Sequence, residues 1–176
     1  VMALVPPEEP SLDLDNLRNG SFEDGYDYWE KGGDLKQTIE CEAGQCFAVL
    51  GDEGYPCEAG VPVGEAWIKQ SFKVPQIFSP TLSLRYRVFS YDILTSDLDE
   101  SDFFQVSING KSLGEFGNTE WAEAECGGEA WDSGWKSAEF DLSSHRGETV
   151  ELSLRNVNSM YEWWNTWTHV DSVEVR

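Results

Sequence analysis

Hydrophobic positions along this chain recur every second residue, in short segments broken by Gly, Pro, Asn and Asp. In the clearest segment, Thr81–Phe89, Leu82, Leu84, Tyr86 and Val88 share one face while Ser83, Arg85 and Arg87 share the other. A period of two predicts a strand with one buried face, because successive side chains of an extended backbone point to opposite sides. The same alternation runs through Phe104, Val106 and Ile108 and through Val150, Leu152 and Leu154, with a less regular version over Trp67–Val74. Further strands are expected at Lys36–Glu40, Cys46–Leu50, Lys111–Phe116, Lys136–Leu142 and Thr166–Val175. Asn109-Gly110 separates two of these segments and supplies the two positive φ angles of a type I′ hairpin turn.

Some eight antiparallel strands without an internal repeat or a long helical stripe predict an all-β fold. The expected form is a two-sheet antiparallel β-sandwich of the jelly-roll kind, with its core between the sheets and its loops gathered at the ends. Residues 1–15 are rich in Pro and acid and lack periodicity, so they read as a linker or disordered leader before a single domain over 16–176. The opening VMALVPPEEP has neither the basic start nor the long apolar run of a signal peptide, and a first residue of Val suggests a mature or excised piece.

Composition narrows the partners. With 8 Trp, 9 Phe and 6 Tyr in 176 residues, the chain carries too many large apolar groups to stay unfolded despite its charge. The 33 acidic and 12 basic residues give a net charge of -21. Such a charge repels phosphate backbones and anionic headgroups, which argues against nucleic acid. Absence of any run of about 18 apolar residues argues against insertion into a membrane. Cations, basic proteins and neutral ligands such as sugars remain.

The four cysteines, Cys41, Cys46, Cys57 and Cys126, allow three pairings. Cys41 and Cys46 flank the turn Glu42–Gln45, whereas Cys57 and Cys126 lie in two long loops rich in Gly and acid. Bridges 41 to 46 and 57 to 126 are expected, which places the protein outside the cell or on its surface. No C-x-x-C motif or Cys/His cluster suggests zinc.

Catalytic signatures are missing. The two histidines, His145 and His169, accompany no G-x-S-x-G, H-E-x-x-H or phosphate-binding Gly loop, so the protein is not expected to be an enzyme. The acidic run Asp97–Asp102 fails as an EF-hand, with Asp102 where Gly is required and Ile108 where Glu is required. In the last strand, Asp171 has the parity of Val173 and Val175, so it either points into the core and needs compensation or is turned outward by a bulge at Val170.

Asn19-Gly20-Ser21-Phe22-Glu23, followed by Trp29, and the closing Thr168-His169-Val170-Asp171-Ser172-Val173-Glu174-Val175 resemble the galactose-binding-like jelly-roll superfamily. That group includes many carbohydrate-binding modules attached to secreted glycoside hydrolases. The resemblance implies a structural Ca²⁺ held by Glu23, Asp171 and backbone carbonyls, although Ser172 stands where the motif often has a second Asp.

Aromatic residues outside the strands supply candidate sugar contacts, since pyranose C–H faces stack on indole and phenol rings while polar side chains take the hydroxyls. Tyr55, Trp121, Trp131, Tyr161, Trp163 and Trp164 form this set, amid acidic and amide residues. Trp67 and Trp167 fall inside expected strands and Trp135 immediately before one, and all three are assigned to packing. The expectation is a non-catalytic, extracellular carbohydrate-binding module, with an adhesion domain of MAM type binding a protein as the alternative. In either case other domains of a larger secreted protein are expected beside it.

Overall fold

A computed structural model of the protein describes residues 16–53, 60–91, 102–117, 128–158 and 164–176. Residues 1–15 lie outside that set, as do Cys57 and Cys126, the acidic residues Asp97, Asp99 and Glu100, and four of the aromatic candidates, Tyr55, Trp121, Tyr161 and Trp163.

The described residues form strands β1 (Glu30–Gly33), β2 (Gln37–Glu42), β3 (Gln45–Leu50), β4 (Gly64–Lys73), β5 (Thr81–Ser90), β6 (Phe103–Ile108), β7 (Lys111–Phe116), β8 (Trp131–Asp132), β9 (Lys136–Asp141), β10 (Thr149–Asn158) and β11 (Thr166–Val175). One sheet has five strands in the order β1-β4-β10-β6-β7, and the other runs β2-β3-β11-β5-β8 with β9 also on β5. All these pairings are antiparallel. The predicted sandwich is therefore the observed one, with β1 and β8 added as short edge strands that the hydrophobic pattern was too brief to announce.

The alternation in β5 sends Leu82, Leu84, Tyr86 and Val88 inward to meet Ala66, Ile68 and Phe72 of β4 and Leu152 and Leu154 of β10. Burying such side chains is worth roughly 1.5–3 kcal/mol each and supplies the main drive for closing the two sheets. At the predicted hairpin, Asn109 and Gly110 have φ of 50° and 77°, as a type I′ turn demands. The β2–β3 hairpin turns in the same way through Ala43 and Gly44, at 50° and 81°. Cys41 and Cys46 face each other across that ladder and are bonded as a disulfide.

Asp171 does not reach the core. The β11–β5 register shifts between Asp171 and Glu174, with Ser172 at φ 54°, so Val170 and Val173 both turn inward and Asp171 lies half-buried on the outer side. A bulge adds one residue to the strand, which is what breaks the parity rule there. The outward alternative therefore holds, with the bulge beginning one residue after Val170.

The first motif packs as a knot. Phe22 is fully buried against Trp29, with ring centroids 5.5 Å apart. The Asn19 side-chain amide donates to the carbonyls of Gly25 (3.0 Å) and Asp27 (3.1 Å), and Trp29 Nε1 donates to Asn19 O at 3.0 Å. Asn19 begins an Asn-Gly-Ser glycosylation sequon, but its amide is already spent on holding this turn.

Candidate functional site

At their middle, β6 and β10 of the five-stranded sheet are buried on both faces, which an exposed flat sheet would not allow. On the outer side of β6 and β10, Gln105, Ser107 and Ser153 are only 9%, 5% and 8% exposed although their inward neighbours fill the core. Longer side chains on the flanks rise past them and leave a groove of about 210 Å³. Its walls include Trp67 and Lys69 of β4 and Glu151 and Arg155 of β10.

A chain of side-chain hydrogen bonds runs across the floor from β4 to β7. Arg155 donates through Nη1 to Glu65 Oε2 at 2.9 Å and through Nε to Gln105 Oε1 at 2.8 Å. Gln105 Nε2 then donates to Glu115 Oε1 at 2.6 Å. Charge-assisted bonds of this kind fix the orientation of each member and leave further lone pairs and N–H groups for a ligand. Trp67 lies half-buried in the same groove, with Lys69 Nζ 4.6 Å above its ring. Opposite it in register stands Gly32, where a methyl group would overlap the indole, so the absence of a side chain at that position lets the ring settle against β1.

A second concavity opens at the lateral edge of the sandwich. About 330 Å³ in volume, it is walled by Tyr86, Val88, Phe116 and Trp131 and rimmed by Glu115, Asp132, Ser133 and Lys136. The rings of Tyr86 and Phe116 lie 4.4 Å apart and close its inner end. Asp132 is held by both nitrogens of an Arg87 fork (2.8 and 2.5 Å) and by Gly134 N (2.8 Å), and the Arg87 hydrogen bond keeps its carboxyl below the usual range.

The outer face of the six-stranded sheet is covered by an aromatic cluster. Phe47 and Phe89 sandwich His169 at 4.7 and 4.8 Å between centroids, and Phe89 stacks on Trp167 at 5.0 Å. Burial pulls the His169 imidazole down to about 4, even though it touches the Glu53 carboxylate and feels Glu40 nearby. Glu40 is pushed up, first by burial and then by Glu53 beside it.

Glu23 and Asp171, expected to hold calcium, belong to two segments that do meet. Val173 N donates to Gly20 O at 2.9 Å, and Gly20 lies so close to Val173 that a methyl group there would overlap its carbonyl. Glu23 Oε1 accepts from Cys46 N at 2.9 Å, and Asp171 Oδ1 accepts from Ser172 N at 2.6 Å. Val170 pairs with Ala48 on β3, so both carboxylates sit toward the hairpin end of that strand. Each keeps one oxygen uncommitted by these bonds, which suits a hard ion. Calcium takes 6–8 oxygens, however, and among the described residues no group of three His, Cys, Asp or Glu side chains converges as a metal site. Backbone carbonyls would have to complete the shell.

Of the aromatic candidates, Trp131 enters the edge cavity, while Trp164 is half-buried outside both concavities. Trp167 packs as assigned, and Trp135 lies under the Arg85 guanidinium at 4.9 Å. Trp67 packs against Gly32 of β1, on the outer face of the sheet and not in the core. Ala66, Ile68 and Phe72 are the inward residues of β4, so Trp67 faces out beside Glu65 and Lys69. Strand parity could have found it, since an indole on the polar side of an alternating strand has no core to fill.

No protein-family model matches the chain, and no curated protein matches it in sequence. Solved structures do resemble it. A carbohydrate-binding module, TmCBM61, determined with β-1,4-galactotriose, matches with a TM-score of 0.53 at 12% identity, over 92% of this chain and 97% of the other. The K1 cleaved adhesin domain of Lys-gingipain from Porphyromonas gingivalis W83 matches with a TM-score of 0.58 at 14% identity, over 89% and 95%. A carbohydrate-binding module of promiscuous specificity from the β-sandwich superfamily matches at 0.50 and 16% identity, over 94% of this chain and 64% of the other. At these identities the likeness establishes the fold: a two-sheet antiparallel β-sandwich of the kind found in carbohydrate-binding modules.

Proposed function

We propose that the protein is a non-catalytic, extracellular carbohydrate-binding module that holds a neutral oligo- or polysaccharide in the groove of its five-stranded sheet. The observation that carries this reading is Trp67, a half-buried indole on the outer face of a sheet whose recessed floor is otherwise polar. The ring face away from Gly32 is covered only by the Lys69 ammonium, which a stacking sugar ring would displace, and Gln105, Ser107, Ser153 and Arg155 lie within the same groove to exchange hydrogen bonds with hydroxyls. Its charged lining, Glu65 and Glu151 against Lys69 and Arg155, sums to zero on a chain of net -21. A neutral glycan fits that balance better than a polyanion or a polycation. From Glu151 to Arg155 the groove runs about 13 Å along β10, room for a short stretch of glycan. The fold shared with sugar-binding modules supports the reading.

The test is calorimetric titration with a panel of neutral polysaccharides. Saturable binding by at least one of them, lost in Trp67→Ala, supports the groove. A protein partner is the second reading, favoured by the likeness to an adhesin domain, and silence across the panel would turn the argument toward it.

A structural calcium ion at Glu23 and Asp171 belongs to the same proposal. It would fasten the first motif to the last strand, where Gly20 and Val173 are already joined. An ion bound only by the folded state raises stability by mass action, so EDTA should lower the melting temperature and Ca²⁺ restore it. An unchanged melt would remove the ion from the account.

A further inference from the structure

We infer that the edge cavity at Trp131 is a second binding site, separate from the groove, that takes one or two neutral hydroxylated rings. Its 330 Å³ stands at the lower end of the range for small-molecule sites, roughly 300–1,000 Å³, and is too small for an extended polymer. Trp131 pairs with Ser90 of β5, whose side is the inward one, and this directs the indole into the opening between the sheets instead of onto either outer face. Tyr86, Val88 and Phe116 supply the remaining apolar wall.

The rim decides the ligand class. Glu115 and Asp132 are both engaged by neighbours, Gln105 and Arg87, so they are held in place as acceptors. An ionised carboxylate offers about four lone-pair directions, and these bonds leave some of them open. Lys136, exposed on β9, adds a donor on the same rim. An anionic ligand would face the Glu115 and Asp132 carboxylates, with the Arg87 guanidinium already committed to Asp132 and only the Lys136 ammonium left to receive it. A wholly apolar ligand would strip water from all three charges with nothing in return. A ring with an apolar face and several hydroxyls satisfies both the wall and the rim. The groove and the cavity share only Glu115 between the hydrogen-bonded floor of one and the rim of the other, and no lining residue of the groove itself lines the cavity.

The experiment follows indole N–H signals by NMR in the Trp67→Ala protein, where the groove is disabled. Glucose, galactose, mannose, xylose and their β-1,4-linked disaccharides are titrated to millimolar concentration. At least one should shift the Trp131 signal saturably, and Lys136→Gln, an exposed change that leaves the packing intact, should weaken that response severalfold. Trp131→Phe, which has no indole signal at that position and is read by calorimetric titration instead, should bind more weakly still while keeping the cavity filled. The inference is overturned if no sugar of the panel moves the Trp131 signal in Trp67→Ala, or if Lys136→Gln and Trp131→Phe both bind as tightly as their parent. A Trp131 response seen only while Trp67 is present would likewise overturn it, by making the cavity an extension of the groove.

Discussion

Arg155 and Gln105, paired in register across β10 and β6, are bonded side chain to side chain, Nε to Oε1, at 2.8 Å. Gln105 passes the contact on to Glu115, so one amide orders charged groups on both sides of itself. Gln105→Leu keeps the volume but leaves Arg155 and Glu115 without that partner. Stability should fall by about 0.5–1.5 kcal/mol, the net worth of such hydrogen bonds, because Glu115 is exposed to water and Arg155 keeps Glu65. Glycan affinity should fall severalfold with it, as read by denaturant unfolding and calorimetry.

Gly32 sits under the Trp67 ring. Gly32→Ala should lift the indole out of its seat and weaken glycan binding markedly, while the edge position of β1 keeps the melting temperature within a few degrees of the parent. Binding that is unchanged in this variant would show that the position of the ring does not matter.

His169 is only 7% exposed, and burial brings its imidazole to about 4 from an ordinary 6.5. The unfolded chain therefore binds a proton that the folded protein refuses between those values, and stability should drop as pH falls from about 6.5 to 4. At about 1.4 kcal/mol per unit, the histidine alone accounts for up to roughly 3 kcal/mol. Glu40, pushed in the opposite direction, is favoured by acid and offsets part of it. His169→Phe, placed between Phe47 and Phe89, should flatten the slope over that window, measured by urea unfolding at stepped pH.

The Cys41–Cys46 bridge spans a sequence separation of 5, so it constrains little of the unfolded chain. The loop-entropy estimate for so short a ring is about 2 kcal/mol. A Cys41→Ser, Cys46→Ser double variant should remain folded, with a loss of that order in chemical denaturation.

The fold was legible because alternation survives in β4, β5 and much of β10, and Asn109-Gly110 named its own turn. Where the pattern failed, local geometry intervened. Ser172 inserts a bulge that no parity count reveals, and β1 and β8 are too short to carry a period. The site was less legible. Loop aromatics drew attention by standing outside strands, and Trp131 does enter a cavity. Trp67 was hidden because a tryptophan within a strand is read as core until its side of the sheet is assigned. The groove depends on which strands become neighbours, and β10, which joins β4 to β6, comes to them from more than forty residues further along the chain.

The central claim rests on Trp67 meeting a sugar ring. The most direct measurement is calorimetric titration of the best-binding neutral oligosaccharide into the parent protein and into Trp67→Ala, with folding of both confirmed by thermal melts. The account predicts saturable binding in the parent and at least a tenfold weaker constant in the variant. Equal affinity in two folded proteins would contradict it.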